Sequence, residues 1–264
     1  MMVYYADLYL TYLRNLVRLM GQYRADFLIM LTASLIHDGS TLLLLTIIFT
    51  NIRQLQGWSF HEMLLIYGLS VTTRSLWNTF LDVPHRIQWY VRGGLLDTVL
   101  VRPPALLFQI AAEHGINPPA FGRVLVGLAA IVIALTNLPV TVTWWWFLYL
   151  PLVIVSGVLI QFSVGMILAS LSFWFTNVQS LLTTTFWLTG FGQYPVHIFA
   201  WPLQFLLTWI FPVAMMGFFP AAFLLRGDEY RFWGVLAPFM GFFFLAVALS
   251  VWRVALRHYQ STGS

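Results

Sequence analysis

Two residue types are missing from this 264-residue sequence, and charged residues are scarce in it. There is no cysteine, which excludes a disulfide framework and any metal site built on thiolates. There is no lysine either, so all 13 basic residues are arginine. A phosphate-binding P-loop requires a lysine, and nucleotide hydrolysis would therefore have to reside in another chain.

Charged residues make up 8% of the sequence and hydrophobic residues 60%, with a mean hydropathy of +0.81. This composition predicts an all-α integral membrane protein, because soluble domains carry about 25% charged residues. We interpret residues 1–264 as a single transmembrane domain. The six histidines show no spacing typical of metal ligands, and we expect no bound metal. The net charge of +4 indicates membrane orientation, and we expect no nucleic-acid partner.

Hydrophobic runs predict six transmembrane helices. They cover residues 27–50, 60–80, 120–138, 144–175, a fifth run that begins near residue 178, and 232–254. Residues 1–26 mix arginines with aromatic and aliphatic residues, which predicts an N-terminal interfacial helix. Prolines divide residues 193–225 into pieces of roughly 10 residues, each about 15 Å long, which cannot cross a hydrocarbon core of about 30 Å. This segment is predicted to form a re-entrant helix pair.

Arginine placement orients the predicted topology. Nine arginines fall on one side and three on the other, and the arginine-rich side is expected to be cytoplasmic. Both termini and the polar segment 82–117 then lie in the cytoplasm, whereas the re-entrant pair faces outside. Arg74 lies near the inner end of the second span, where its side chain is expected to snorkel to the cytoplasmic interface.

The cytoplasmic segment contains a short amphipathic helix within residues 91–104. Gly93 and Gly94 allow a sharp entry, Asp97 lies in the first turn, and Pro103 and Pro104 end the helix. Its apolar face consists of Leu95, Leu96, Val99 and Leu100, and Arg92 and Arg102 flank that face as partners for acids on another protein. So short a helix is unstable alone and needs a covering surface. The residues leave two alternatives open, a helix resting on lipid and a helix docked on a second protein.

His37 and Asp38 fall near the middle of the first span, where ionisable side chains are costly. Two interpretations remain open for this pair. In one, the two residues line a transport pathway. In the other, they form a hydrated break in the helix and hydrogen-bond to neighbouring spans.

The fourth span carries several serines but no histidine that could activate them as nucleophiles. Together with Gly157, Gly165 and Ala169, they favour close helix packing over catalysis. The serines are Ser156, Ser163, Ser170 and Ser172.

Three segments carry a resemblance to a known family. Residues 57–69 read GWSFHEMLLIYGL, residues 93–109 read GGLLDTVLVRPPALLFQ, and residues 252–264 read WRVALRHYQSTGS. The sequence resembles the permease subunits of ATP-binding-cassette exporters of the second type, in particular the viologen-exporter-like branch. The resemblance covers most of the chain, and the central segment is its most specific part.

The resemblance implies an exporter subunit in the bacterial plasma (inner) membrane. A second permease subunit, identical or paralogous, would complete the pathway for an unknown small-molecule substrate, and two ATPase subunits would supply ATP and Mg²⁺. Residues 94–102 would form the coupling helix that seats in the ATPase, with Leu96 and Leu100 as anchors. An outer gate would contain Tyr194, Pro195, Phe211, Pro212, Phe218, Phe219 and Pro220. The alternatives are an intramembrane enzyme and a membrane scaffold that transports nothing.

The missing lysine generates a first prediction. The purified chain alone should release no phosphate from Mg-ATP, because it cannot form a P-loop. A phosphate-release assay on the detergent-purified chain checks this. Hydrolysis by the chain alone would contradict the permease interpretation.

Overall fold

The computed structural model describes residues 11, 14, 24–101, 105–114, 117–175 and 177–258. The described residues are nearly all helical, and they contain no strand beyond an isolated bridge between Leu55 and Trp58. Most of the predicted interfacial helix, residues 1–26, lies outside the described residues. The same holds for Arg102 and Pro103 in the cytoplasmic segment.

The described residues form eleven α-helices, numbered in chain order. They are α1 (Arg24–Asn51), α2 (Phe60–Phe80), α3 (Pro84–Arg92), α4 (Leu96–Leu100), α5 (Leu106–His114), α6 (Pro118–Asn137), α7 (Trp146–Ser170), α8 (Gln179–Leu188), α9 (Trp201–Phe205), α10 (Phe218–Arg226) and α11 (Arg231–Arg257). Short 3₁₀ and π turns join α8 to α9 and α9 to α10.

Four segments of the described chain are long and apolar enough to cross a membrane, whereas the sequence predicts six spans. They are Arg24–Asn51, Ala120–Asn137, Trp146–Phe173 and Phe218–Arg257. α2 has the predicted bounds but carries polar and charged side chains. α8 has 10 residues, or about 15 Å of helix, which is half the thickness of a hydrocarbon core.

α2 and α6 pack closely because two glycines face each other. A Cβ atom on Gly68 would lie 2.9 Å from the carbonyl oxygen of Gly127, and one on Gly127 would lie 2.7 Å from the backbone nitrogen of Thr72. Neither position leaves space for a side chain. Small residues at such a crossing let the helix backbones approach and gain dispersion contacts. These contacts stabilise the helix pair within lipid, where the hydrophobic effect does not drive helices together.

α7 and α11 are joined by hydrogen bonds around a helix-internal proline. Pro238 has no backbone N–H, so the carbonyl of Gly234 loses its helical donor. The Tyr149 hydroxyl donates to that carbonyl at 2.8 Å. About one turn further along α11, the Ala237 carbonyl accepts from the Ser156 hydroxyl at 2.5 Å. The same hydroxyl accepts from the Gly241 N–H at 2.9 Å. Of the four serines, Ser156 thus bonds the α11 backbone, whereas Ser163, Ser170 and Ser172 donate to carbonyls of their own segment.

Two clusters of buried apolar residues occupy opposite ends of the bundle. The gate-end cluster is built on the first half of α2, α10 and the start of α11, and includes Trp58, Phe218 and Tyr230. The coupling-end cluster joins α3, α4 and α5 to the ends of α7 and α11, and includes Leu96, Met166 and Trp252. α7 and α11 contribute to both clusters.

The repair at Pro238 predicts a measurable coupling. Tyr149→Phe should lower the free energy of unfolding by about 1 to 3 kcal/mol, because it leaves a buried carbonyl without a donor. Unfolding in mixed micelles, followed by far-ultraviolet circular dichroism, measures this change. In a Pro238→Ala background the helix supplies its own donor, and the same substitution should cost less. Equal cost in both backgrounds would show that the Tyr149 bond does not serve this carbonyl.

Candidate functional site

A short helix, α4, lies within the segment predicted to contain the coupling helix, and it begins after a left-handed glycine. Gly94 has φ of +66°, a conformation that strains any residue with a side chain. The chain therefore reverses sharply between α3 and α4. α4 ends at Leu100, shortly before the predicted proline stop at Pro103.

The apolar face of α4 is covered by the chain itself, whereas the sequence left lipid or a second protein as the alternatives for its cover. Leu96 is 0% exposed and Val99 is buried, and both belong to the coupling-end cluster with Met166 and Trp252. Leu95 packs against the same cluster. Leu96 is therefore an internal anchor, and it cannot also seat in a groove of an ATPase in this conformation.

A buried polar contact also fixes α4. The side-chain amide of Gln109 in α5 donates to the carbonyl of Val99 at 3.1 Å. Since the last carbonyls of a helix have no donor within it, this bond satisfies one of them. α4 is thus held both by apolar packing and by its neighbour in the cytoplasmic segment.

The opposite side of α4 faces outward. Gly93 and Thr98 are exposed, and Val101 has 84% of its surface exposed, while Asp97 is half-buried. The side chains of Arg92 and Leu100 lie outside the described atoms. Among the described residues of this segment, Thr98 and Val101 therefore offer a surface that a partner protein can reach.

Asp38 forms a bidentate ion pair with Arg123 of α6. Nε of Arg123 lies 2.7 Å from Oδ2 of Asp38, and Nη2 lies 2.7 Å from Oδ1. The Asp38 side chain is 2% exposed and that of Arg123 is 17% exposed. Two parallel charge-assisted bonds of this kind are strong and fix the relative rotation of both helices. The pair therefore ties α1 to α6.

His37 lies beside this pair but is not enclosed by it. Its Nδ1 is 3.3 Å from Asp38 Oδ1, and its side chain is 63% exposed. α1 is continuous through this region, so the helix break that one interpretation required is absent from Arg24–Asn51. The hydrogen-bonded alternative otherwise describes Asp38 well, whereas the role of His37 in a pathway stays a prediction.

Arg74 does not extend to an interface as expected. Its guanidinium carbon lies 4.4 Å from the ring centre of Phe186 in α8, a cation–π contact, and its Nε is buried without a hydrogen-bond partner. No carboxylate of the described chain forms an ion pair with it. An arginine in this state places positive charge between α2 and α8.

The residues predicted for the outer gate converge on the first half of α2. The Ser70 hydroxyl donates to the Gly192 carbonyl at 2.5 Å, and Gly217 lies so close to Ser70 that a Cβ atom there would be 2.8 Å from the Ile66 carbonyl oxygen. Pro195, Pro212, Phe218, Phe219 and Pro220 are buried, and Tyr194 and Phe211 are half-buried. Short helices folded back on α2 therefore form a closed surface at this end of the bundle.

The family is decided by a comparison with protein-family models. The model described as ABC-2 family transporter protein matches residues 35–263, which is most of the chain. The chain belongs to the ABC-2 transporter family. Searches of curated proteins and of solved structures return no match.

This ABC-2 permease is a multi-pass membrane protein and a membrane component of an ABC transporter, whose ATPase is a separate subunit. Within the described ranges, no group of three or more His, Asp or Glu side chains could hold a metal ion. The candidate functional features are the α4 segment, the Asp38–Arg123 pair and the gate-end cluster.

Sequence reasoning missed Arg123 as the partner of Asp38. It placed Arg123 among the arginines at the cytoplasmic side, because hydropathy assigns depth but not the direction in which a side chain points. An acid in the middle of one span needs a compensating charge. A search for arginines within the other predicted helices would have found Arg123 as a candidate partner.

The ion pair predicts a stability effect that separates its two interpretations. Asp38→Asn should lower the free energy of unfolding by about 3 to 5 kcal/mol, because it leaves Arg123 charged and unpaired. The doubly neutral Asp38→Asn/Arg123→Gln protein should regain most of that loss. His37→Gln is the matched control and should change stability little, since His37 is exposed. Unchanged stability of Asp38→Asn together with altered transport would instead favour a pathway role.

Proposed function

We propose that this permease is half of an ABC exporter. A second permease, identical or paralogous, would complete a central pathway, and two ATPase subunits would bind ATP and Mg²⁺. α2 and α8 would serve as the second and fifth of six spans, with both termini in the cytoplasm of a bacterial cell and residues 193–225 re-entrant from outside. The resemblance of residues 57–69 and 93–109 supports the viologen-exporter-like branch, while the small-molecule substrate stays open.

The observation that carries this proposal is the two-sided structure of α4. Its inner face is buried through Leu96 in the coupling-end cluster, to which α7 and α11 also contribute, and Val101, directly after the helix, is exposed. A helix that is mobile on lipid would not bury its leucines in the protein core. A force applied at Val101 would reach α7 and α11 through Leu96, as a coupling helix requires.

Transport would follow from a rigid movement of α4. ATP binding closes the ATPase subunits, α4 moves with them, and the spans attached to the coupling-end cluster change their packing. α1, α2 and α8 would border the pathway between subunits, which is where Arg74 contacts Phe186. The gate-end cluster would hold the pathway closed outside until that change occurs.

Val101→Asp tests this proposal. The substitution should weaken capture of the ATPase at least about tenfold, because a carboxylate placed in a protein interface loses its water. The permease itself should fold normally, since Val101 is exposed in it. The tagged permease is purified from its native membranes, and both its associated Mg-ATPase activity and the P-loop subunit that accompanies it are measured.

Val142→Asp is the matched control. Val142 is exposed in the connection between α6 and α7, at the opposite end of the bundle from α4. It should leave capture and activity unchanged. Leu96→Asp should instead reduce the yield of folded protein, because Leu96 is internal. Normal ATPase capture and transport by Val101→Asp would refute this coupling surface.

A further inference from the structure

A pocket opens beside the gate-end cluster, between α9, the turn that follows it, and the start of α11. It has a volume of about 370 Å³, which is within the range of small-ligand sites. Aromatic rings dominate its lining, namely Trp201, Phe205, Trp209, Phe219, Tyr230 and Trp233. Phe219 and Trp233 stack at 4.6 Å between ring centres, which fixes one wall.

Glu229 is the only acidic residue in this lining, and no arginine belongs to it. Arg226 lies outside the lining: its Nη2 donates to the Gly57 carbonyl at 2.8 Å and its guanidinium lies 3.7 Å from the Trp58 ring centre, although its charge still acts on His197 and Tyr230. His197 also lines the pocket, and its Nε2 lies 3.2 Å from the Tyr230 hydroxyl. Partial burial lowers the pKa of His197. Glu229 is therefore the carboxylate that the lining offers to a cation.

The mouth of the pocket is apolar and exposed. Trp201, Phe205 and Trp209 all have large exposed surfaces, as does Phe232 at the start of α11. In a multi-pass membrane protein, tryptophans in such positions lie at the membrane–water interface. The mouth is therefore positioned for lipid chains, and the polar interior for the group at the end of a lipid.

We propose that this pocket binds the ammonium headgroup of a membrane lipid. Aromatic faces attract alkylammonium ions through their quadrupoles, and Glu229 supplies the opposite charge. The lining itself contains Glu229 and no arginine, so the group that it pairs with directly is the ammonium of the headgroup. The site shares Phe219 with the predicted outer gate and lies apart from α4, and the proposal does not depend on the direction of transport.

Native mass spectrometry of the delipidated permease tests the headgroup. The protein is titrated with equal amounts of a phosphatidylethanolamine and a phosphatidylglycerol that share the same acyl chains. Both lipids carry the phosphate, but only the first carries the ammonium. We expect bound phosphatidylethanolamine to exceed bound phosphatidylglycerol at least about fivefold. Equal binding of the two lipids would overturn the proposal.

Two pairs of variants locate the binding. Glu229→Gln should reduce the preference about threefold to tenfold, whereas Asp228→Asn, which alters the adjacent acid outside the lining, should not. Trp209→Leu should also reduce the preference for phosphatidylethanolamine. Trp144→Leu, which changes an exposed tryptophan outside the lining, should leave that preference unchanged. Unchanged preference in both Glu229→Gln and Trp209→Leu would place the lipid elsewhere and overturn the assignment.

A competition with free ethanolamine separates a lipid from a soluble cation. Because the exposed aromatic mouth should contact acyl chains, free ethanolamine at the same concentration should displace little phosphatidylethanolamine. Full displacement would show that the ammonium group alone provides the affinity, and it would overturn the assignment to a lipid.

Discussion

The carbonyl of Gly234 is a small feature on which much of the bundle depends. Pro238 removes its helical donor, and within hydrocarbon no water can replace that donor. Tyr149 fills the role, and Ser156, two turns along the same face of α7, satisfies the next backbone groups of α11. These bonds set the register of α7 against α11. Met166 of α7 and Trp252 of α11, towards the far ends of the two helices, belong to the same apolar cluster as Leu96 of α4.

The sequence predicts helix bounds well where composition changes abruptly. α2 covers Phe60–Phe80 as expected, because Glu62 accepts the backbone N–H of Ser59 at 2.7 Å and starts the helix cleanly. The division of residues 193–225 also follows from its prolines. Whether six segments cross the membrane is harder to predict, because α2 lacks the hydropathy and α8 lacks the length that identify the other spans.

Contacts between distant elements could not be predicted from the same patterns. An amphipathic helix shows that one face needs cover, but the pattern does not say which surface provides it. For α4 the cover is the chain's own coupling-end cluster, so Leu96 belongs to the core and the partner surface lies on the other side. In the same way, Asp38 shows by its burial that it needs a cation, while only the packing of α1 on α6 identifies Arg123.

These contacts divide the permease into two mechanically different groups of helices. α7 and α11 are joined by backbone repair near Pro238 and by apolar packing at the coupling end, so they should move as one body with α4. α1, α2 and α6 are joined by the Asp38–Arg123 pair and by the close approach of Gly68 and Gly127. Packed interfaces tend to have discrete arrangements and do not deform continuously. A displacement of α4 should therefore concentrate its effect where the two groups meet, between α2 and α7.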